Sequence, residues 1–190
     1  MQDKQTKELF DKLISIDALR FGDFTLASGA NSKFYIDLRY LPSFPDLYQE
    51  LITALYDKIK HILSFEIIIG IPLAGISFAT SLSWISQKPL HLLRKTSKSH
   101  GLQKLIEGPS IKGKQVLLVD DLISSGHSKE YAIDAIRDQG GKVSNLLVLI
   151  DRREDKQSHW EKIWNVKINS LYTVTSDLLE DYYKKYIESN

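Results

Sequence analysis

The chain has 190 residues, 43% of them hydrophobic and 26% charged, which is enough apolar material for the core of a single soluble domain. A formal net charge of +1 gives no global attraction for nucleic acid or an anionic membrane. With no cysteine, the chain excludes disulfides, thiolate zinc sites and cysteine nucleophiles. That fits a cytoplasmic protein, as does an opening Met1 to Glu8 without the apolar core of a signal peptide.

Taken in order, Thr6 to Ile16 carries Leu9, Phe10, Leu13, Ile14 and Ile16 at helical spacing. Phe21 to Tyr40 reads as irregular and β, a hairpin turning at Ser28-Gly29, with Phe34 and Tyr35 in its second strand. Pro42 to Pro45 reads as a loop. Pro45 or Asp46 opens a helix to about Leu63, with Leu47, Leu51, Leu55, Ile59 and Ile62 on one face. Glu66 to Gly70 is a short buried strand. Ile71-Pro72-Leu73-Ala74-Gly75 is a tight turn into a helix over Ile76 to Ser86. The stretch from Ile67 to Gln87 has no charge and approaches the length of a membrane span, but Gly70, Pro72 and Gly75 break it. A strand, a turn and a core helix account for it better.

Leu90 to Leu93 is a strand. Arg94-Lys95-Thr96-Ser97-Lys98-Ser99-His100-Gly101 follows, without periodicity, and runs on to Glu107-Gly108. Such a basic segment is a poor structural element but a suitable lid for an anion, since cations stabilise negative charge that grows in a transition state. A solvated loop and a nucleic-acid patch are the alternatives, and the lack of interleaved aromatics weighs against the latter.

Val116-Leu117-Leu118-Val119 is a buried strand that hands over to the adjacent acids Asp120 and Asp121. Ser124-Ser125-Gly126-His127-Ser128 then leads into a helix from Lys129 to Gln139, stopped by Gly140-Gly141. The carboxyl end of a parallel strand is the usual ligand crevice of an open α/β sheet. The hydroxyls, the glycine and the helix N-terminus suit a phosphate, and the acids suit sugar hydroxyls or a cation. A capped βα turn with no ligand remains open on spacing alone. Val143 to Ile150 is the next strand, and Asp151-Arg152-Arg153 stands at its end. An arginine there is placed to hold a carboxylate through two hydrogen bonds. Glu154 to Trp164 is helical or loop, Ile168 to Val174 a strand, and Ser176-Asp177 caps a last helix to about Ile187.

Asp-Asp-Leu-Ile-Ser-Ser-Gly-His-Ser resembles the phosphoribosyl pyrophosphate (PRPP) motif of type I phosphoribosyltransferases. There is no Gly-Lys-Ser/Thr of a P-loop and no Gly-x-Gly-x-x-Gly. Phe24-Thr25-Leu26-Ala27-Ser28-Gly29 with Ser32, Phe34-Tyr35, Asp37 and Arg39 is similar to the N-terminal segment of the orotate phosphoribosyltransferase family. Arg94-Lys95, Lys98 and His100-Gly101 resemble that family's catalytic loop. The likeness runs from Phe21 to about Leu179. It implies one domain over 1–190, with a mostly parallel α/β sheet flanked by helices, a hood over about 1–40 and a core over about 45–175, and with no fused decarboxylase.

The resemblance also implies the chemistry: transfer of the phosphoribosyl group of PRPP to orotate, giving orotidine 5′-monophosphate and pyrophosphate for pyrimidine synthesis. Asp120 and Asp121 would hold the ribose and favour its cationic transition state. Ser124, Ser125, Gly126, His127 and Ser128 would cradle the 5′-phosphate, with Ser124 also near the base. Ala74 and Gly75 would bind the pyrophosphate by backbone N–H groups. Lys95, Lys98 and His100, joined by Arg94, would neutralise it as it leaves. Tyr35 and Ile36 would flank orotate, and Arg152 would take its carboxylate, leaving Arg153 at the surface. Mg²⁺ would come largely on the substrate's oxygens, with no dedicated protein metal site. A homodimer with shared active sites is implied, with no nucleic-acid or membrane partner. Two departures stand out: Ala27, where some members carry lysine, and His127, where many carry a small residue. The competing readings are transfer to another base and a regulatory protein that senses PRPP without turnover.

Overall fold

Leu9, Phe10 and Leu13, none more than 1% exposed, bind α1 (Gln2–Ser15) to the core through one apolar stripe. The chain then forms an antiparallel hairpin, β1 (Leu19–Thr25) with β2 (Asn31–Ile36), interrupted by a bulge between Phe21 and Phe24. The structure, a computed structural model, describes residues 2–25, 29, 31–61, 64–95, 105–124, 126–153 and 159–189. Position 27 lies outside them.

Residues 38–43, expected to end in a loop at Pro42, form a 3-10 helix (Leu38–Ser43). Asp37 starts it by accepting the Arg39 N–H at 3.2 Å, and Pro42 supplies a backbone angle compatible with the tight turn. Then α2 (Pro45–Ile59) opens on its proline and buries Leu51, Ile52, Leu55 and Ile59. It ends earlier than Leu63, and Ile62 is outside the described residues.

The uncharged stretch resolves into β3 (Ile67–Gly70), a turn and α3 (Ala74–Ser86). Among the described residues, no helix is long and apolar enough to cross a membrane. There follow β4 (Leu90–Leu93), β5 (Ile106–Glu107), β6 (Gln115–Ile123), α4 (His127–Asp138), β7 (Lys142–Asp151), α5 (His159–Trp164), β8 (Lys167–Thr173) and α6 (Ser176–Ser189). Strand β5, two residues long, was not legible in the sequence, because so short a run has no alternation to read. The last helix is capped by Thr175, whose hydroxyl accepts the Leu178 N–H at 3.3 Å, and Ser176 is already its first residue.

The sheet runs β5-β4-β3-β6-β7-β8, with β3, β4, β6, β7 and β8 parallel and β5 antiparallel to β4. Alternate side chains of the central strands enter two separate cores. Ile68, Leu117, Val119, Leu147 and Leu149 pack with α1, α2, α3 and the hairpin. Ile67, Ile69, Val116, Leu118, Leu146 and Val148 pack with α4 and α5. A sheet covered on both faces needs strands apolar on both, and that is why these strands read as unbroken hydrophobic runs. From β3 the chain winds outward through β4 and β5, and from β6 through β7 and β8. The order therefore reverses between β3 and β6, and the crevice beyond their carboxyl ends is where such sheets bind ligands.

Candidate active site

That crevice holds a cavity of about 570 Å³. Four parts of the chain wall it: Tyr35, Ile36, Asp37 and Arg39 of the hood segment, Ile71 to Ala74 between β3 and the start of α3, Lys95 beyond β4, and Asp120, Asp121, Lys129 and Tyr131 from β6 and α4. The sequence brought Tyr35, Ile36, Ala74, Lys95, Asp120 and Asp121 to one place, and the fold does so too.

The acids do not sit past the strand, as expected, but within it. Strand β6 continues to Ile123, because β7 offers a ladder that far, pairing Leu122 with Ile150 and Ile123 with Asp151. Alternation then turns the two carboxylates differently. Asp120 is 5% exposed. Its Oδ1 accepts the Asp121 N–H at 2.9 Å, and its Oδ2 accepts from Lys129 Nζ. Asp121 is half-buried, and its Oδ1 accepts the Leu122 N–H at 2.8 Å. Burial above all, then the charge of Asp120 and a hydrogen bond to it, pushes the Asp121 carboxyl up to about 7.

Gly75, expected to offer its backbone N–H to pyrophosphate, also has a packing role. It lies in the first turn of α3, where a Cβ would stand 2.5 Å from the Val119 carbonyl oxygen and 3.0 Å from Asp120 Cα. The glycine lets the helix start directly against β6. The peptide between Pro72 and Leu73 is cis. Gly126 similarly makes room inside the protein. It caps α4 at φ 80°, and a Cβ would meet the Trp160 indole nitrogen at 2.7 Å.

The hood segment is fixed by a fork of hydrogen bonds. Arg39 donates through Nε to Asp37 Oδ1 at 2.6 Å and through NH2 to Asp37 Oδ2 at 2.6 Å, and a third bond joins NH2 to the Tyr35 hydroxyl at 3.3 Å. The Arg39 bond above all holds the Asp37 carboxyl below the usual range. Neither residue was assigned a role from the sequence, although the Asp-x-Arg ending of the hood motif was the signal. Lys129 and Tyr131 were also missed. Neither carried a signal of its own, since a lone lysine or tyrosine near a helix start reads as an ordinary surface residue.

Other expected residues lie elsewhere. Arg94 gives its Nε to Glu107 Oε1 at 2.7 Å, across the β4–β5 edge. Ser124 is exposed in the bend after β6. Arg152 lines a neighbouring cavity of about 530 Å³, together with Ser32, Phe34 and Ser176, and its guanidinium carbon stands 4.6 Å above the Phe34 ring centre. The hood strand separates the two cavities: Tyr35 and Ile36 wall one, Ser32 to Phe34 the other. Arg153 is not a surface residue. It is 7% exposed and forms a forked ion pair with the buried Asp151, NH2 to Oδ2 at 2.7 Å. A guanidinium so close to the sheet needs such a partner. Lys98, His100 and Ser125, and the side chains of His127 and Ser128, lie outside the described residues; the backbone of His127 opens α4.

Residues 42–178 match the model of the phosphoribosyl transferase domain. An orotate phosphoribosyltransferase of Pyrobaculum islandicum is 35% identical over 176 residues, covering 92% of this chain and 91% of the relative. The chain belongs to the orotate phosphoribosyltransferase family. A relative of the same name from Methanospirillum hungatei is 38% identical over 78% of this chain and 84% of its own. Among solved structures, orotate phosphoribosyltransferase from Aeropyrum pernix superposes with a TM-score of 0.77 at 30% identity, covering 92% of this chain and 97% of that one. UMP synthase of Leishmania donovani superposes at 0.79 with 31% identity, but this chain spans only 38% of its length. The chain therefore has the type I phosphoribosyltransferase fold of this family.

Proposed function

We propose that the chain performs the reaction its family is named for, joining orotate to the phosphoribosyl group of PRPP with release of pyrophosphate, in the cavity between the acid pair and the hood. The observation that carries this reading is the meeting of Asp120 and Asp121 with Tyr35 and Ile36 around one cavity at the switch point of the sheet. A phosphoribosyl group anchored on the strand side then presents its anomeric carbon toward a base held on the hood side.

As pyrophosphate leaves, positive charge develops on the sugar, and the base nitrogen forms the new bond from the opposite face. A carboxylate near the ribose favours that charge. Lys95 faces the same cavity, where an ammonium offsets the growing charge of the leaving group. Lys98 and His100 are assigned the same role on their sequence pattern. Arg152 is proposed for the orotate carboxylate on its sequence pattern alone, since in the structure it lines the neighbouring cavity across the hood strand. Ser124, Ser125, Gly126, His127 and Ser128 are proposed to hold the 5′-phosphate near the start of α4, and Ala74 and Gly75 the pyrophosphate.

Among the described residues no group of three or more His, Cys, Asp or Glu side chains could hold a metal ion. The donor set at the acid pair, with an ammonium already on Asp120, suits Mg²⁺ that arrives as the PRPP complex. The proposed assembly is a homodimer. Trp84 and Ile85 on α3, with Tyr48 and Ile52 of α2, line an apolar groove that a second copy would cover.

The test is pyrophosphate release from PRPP with Mg²⁺. Release that requires orotate supports the reading, and release with another base but not with orotate sinks it. Lys98→Ala is expected to lower kcat by about 100-fold or more; unchanged turnover would refute the role of Lys98.

A further inference from the structure

The inward stripe of α4 is formed by Ala132, Ile133 and Ile136, each fully buried in the second core. Extended one turn back, at helical spacing, it reaches position 129. An apolar side chain would complete it, yet Lys129 stands there, 5% exposed. Its ammonium meets Asp120 with both side chains more than nine-tenths buried, 6% and 7% exposed. Burying such a pair gives a fold little that a packed apolar side chain would not give, so its presence asks for a reason other than stability.

The reason lies in how the pair divides the two acids. Asp120 is held on both oxygens, by the Asp121 N–H and by Lys129. Asp121 is tied through Oδ1 to the neighbouring Leu122 N–H and shares the cavity wall. We propose that Lys129 is a positioning residue for phosphoribosyl transfer: its ammonium fixes Asp120 as a structural carboxylate and so makes Asp121 the acid that meets the ribose hydroxyls. This rests on the assignment of the cavity to phosphoribosyl transfer.

The charges around the pair set the consequence. Burial first, and then Asp120, raise the Asp121 carboxyl, while Lys129 pulls it down. The other titratable or charged groups on the cavity wall are Tyr131 of α4, Asp37 capping the 3-10 helix and Arg39 within it, Tyr35 of β2 and Lys95 after β4. Arg39 adds positive charge near Asp121, but it is already clasped by Asp37. Removing the Lys129 charge therefore drives Asp121 further toward its protonated form. Its carboxylate is then reached only at higher pH.

The experiment measures kcat/KM for PRPP against pH in wild type, Lys129→Met and Lys129→Arg. The acid limb is expected to move up by ~1 pH unit or more in Lys129→Met and to stay near wild type in Lys129→Arg. A lysine with a merely structural role would lower activity or stability at every pH with the limb unmoved, and that result overturns the proposal. Carbon-13 NMR of aspartate-labelled, ligand-free protein gives a reading that needs no turnover. Wild type should show a carboxyl titrating near neutrality that disappears in Asp121→Asn and moves upward in Lys129→Met. If that resonance belongs to Asp120, the proposal fails, even if Lys129→Met does not fold. A wild type without orotate turnover would remove the functional reading, while the titration would still decide how Lys129 divides the acids.

Discussion

Asp121 carries opposed demands, and they show in its stability. In an unfolded chain its carboxyl ionises around 3.8, and in the fold at about 7. Between those values the folded state keeps a proton that the unfolded state has released, so the group's contribution worsens as pH rises and is fully unfavourable above about 7. The fold holds this acid where burial opposes its charge, as sites do when a carboxylate must act on a ligand. Asp121→Asn removes the ionisation. Its melting temperature is expected to exceed that of wild type at pH 8, by an equivalent of up to ~4 kcal/mol, and to converge with it toward pH 4. Thermal unfolding across that range checks this, and the same variant should lose turnover. A gap that is constant with pH would mean that the raised carboxyl is not Asp121.

At the scale of elements, the site depends on α3 starting in contact with β6. Gly70 and Gly75 make that contact: a Cβ on Gly70 would lie 2.4 Å from the Gly75 carbonyl oxygen, and one on Gly75 2.5 Å from that of Val119. Gly75→Ala must push the helix and the strand apart by several tenths of an ångström, displacing Asp120. The expected loss is ~1–3 kcal/mol of stability, with a fall in kcat/KM for PRPP larger than any change for orotate. Denaturant titration and initial rates measure both. This contact also marks what a sequence can disclose. The apolar runs of β3, β6 and β7 and the stripes of α1 and α2 were legible, because burial on a regular element leaves a period. The acid pair, the hood motif and Lys95 were legible through their pattern of residue types. Lys129 was not, because a lone lysine at a helix start reads as a solvated charge until the opposite strand is known. Arg153 was misplaced for a related reason: nothing local says that Asp151 turns inward to meet it. The extent of β6 past its acids depends on β7, a partner distant in sequence.

For the whole molecule, the two cores do unequal work. The one facing α1, α2 and α3 meets solvent through an apolar patch at the end of α3. There Trp84 is 76% exposed and Ile85 39%, beside the apolar groove of about 410 Å³ lined by Tyr48 and Ile52. Tyr48 is anchored beneath it, edge-on to the fully buried Phe78 and hydrogen-bonded to Ser81 at 3.2 Å, so the groove is a firm surface. A large aromatic left in water on a firm apolar face is the usual centre of a protein interface, and covering it contributes several times what a rim contact does. A second copy placed there would cover the C-terminal half of α3, the helix whose first turn follows the 71–74 segment of the active-site cavity. Trp84→Glu puts a charge at that centre without touching the core. If the proposed homodimer forms through this face, the expected outcome is a shift from dimer to monomer in sedimentation velocity, with the melting temperature of the monomer lower and turnover reduced because the sites are proposed to be shared. A Trp84→Glu protein that remains dimeric would move the interface to another face, and a monomeric variant with full turnover would show each site to be complete in one chain.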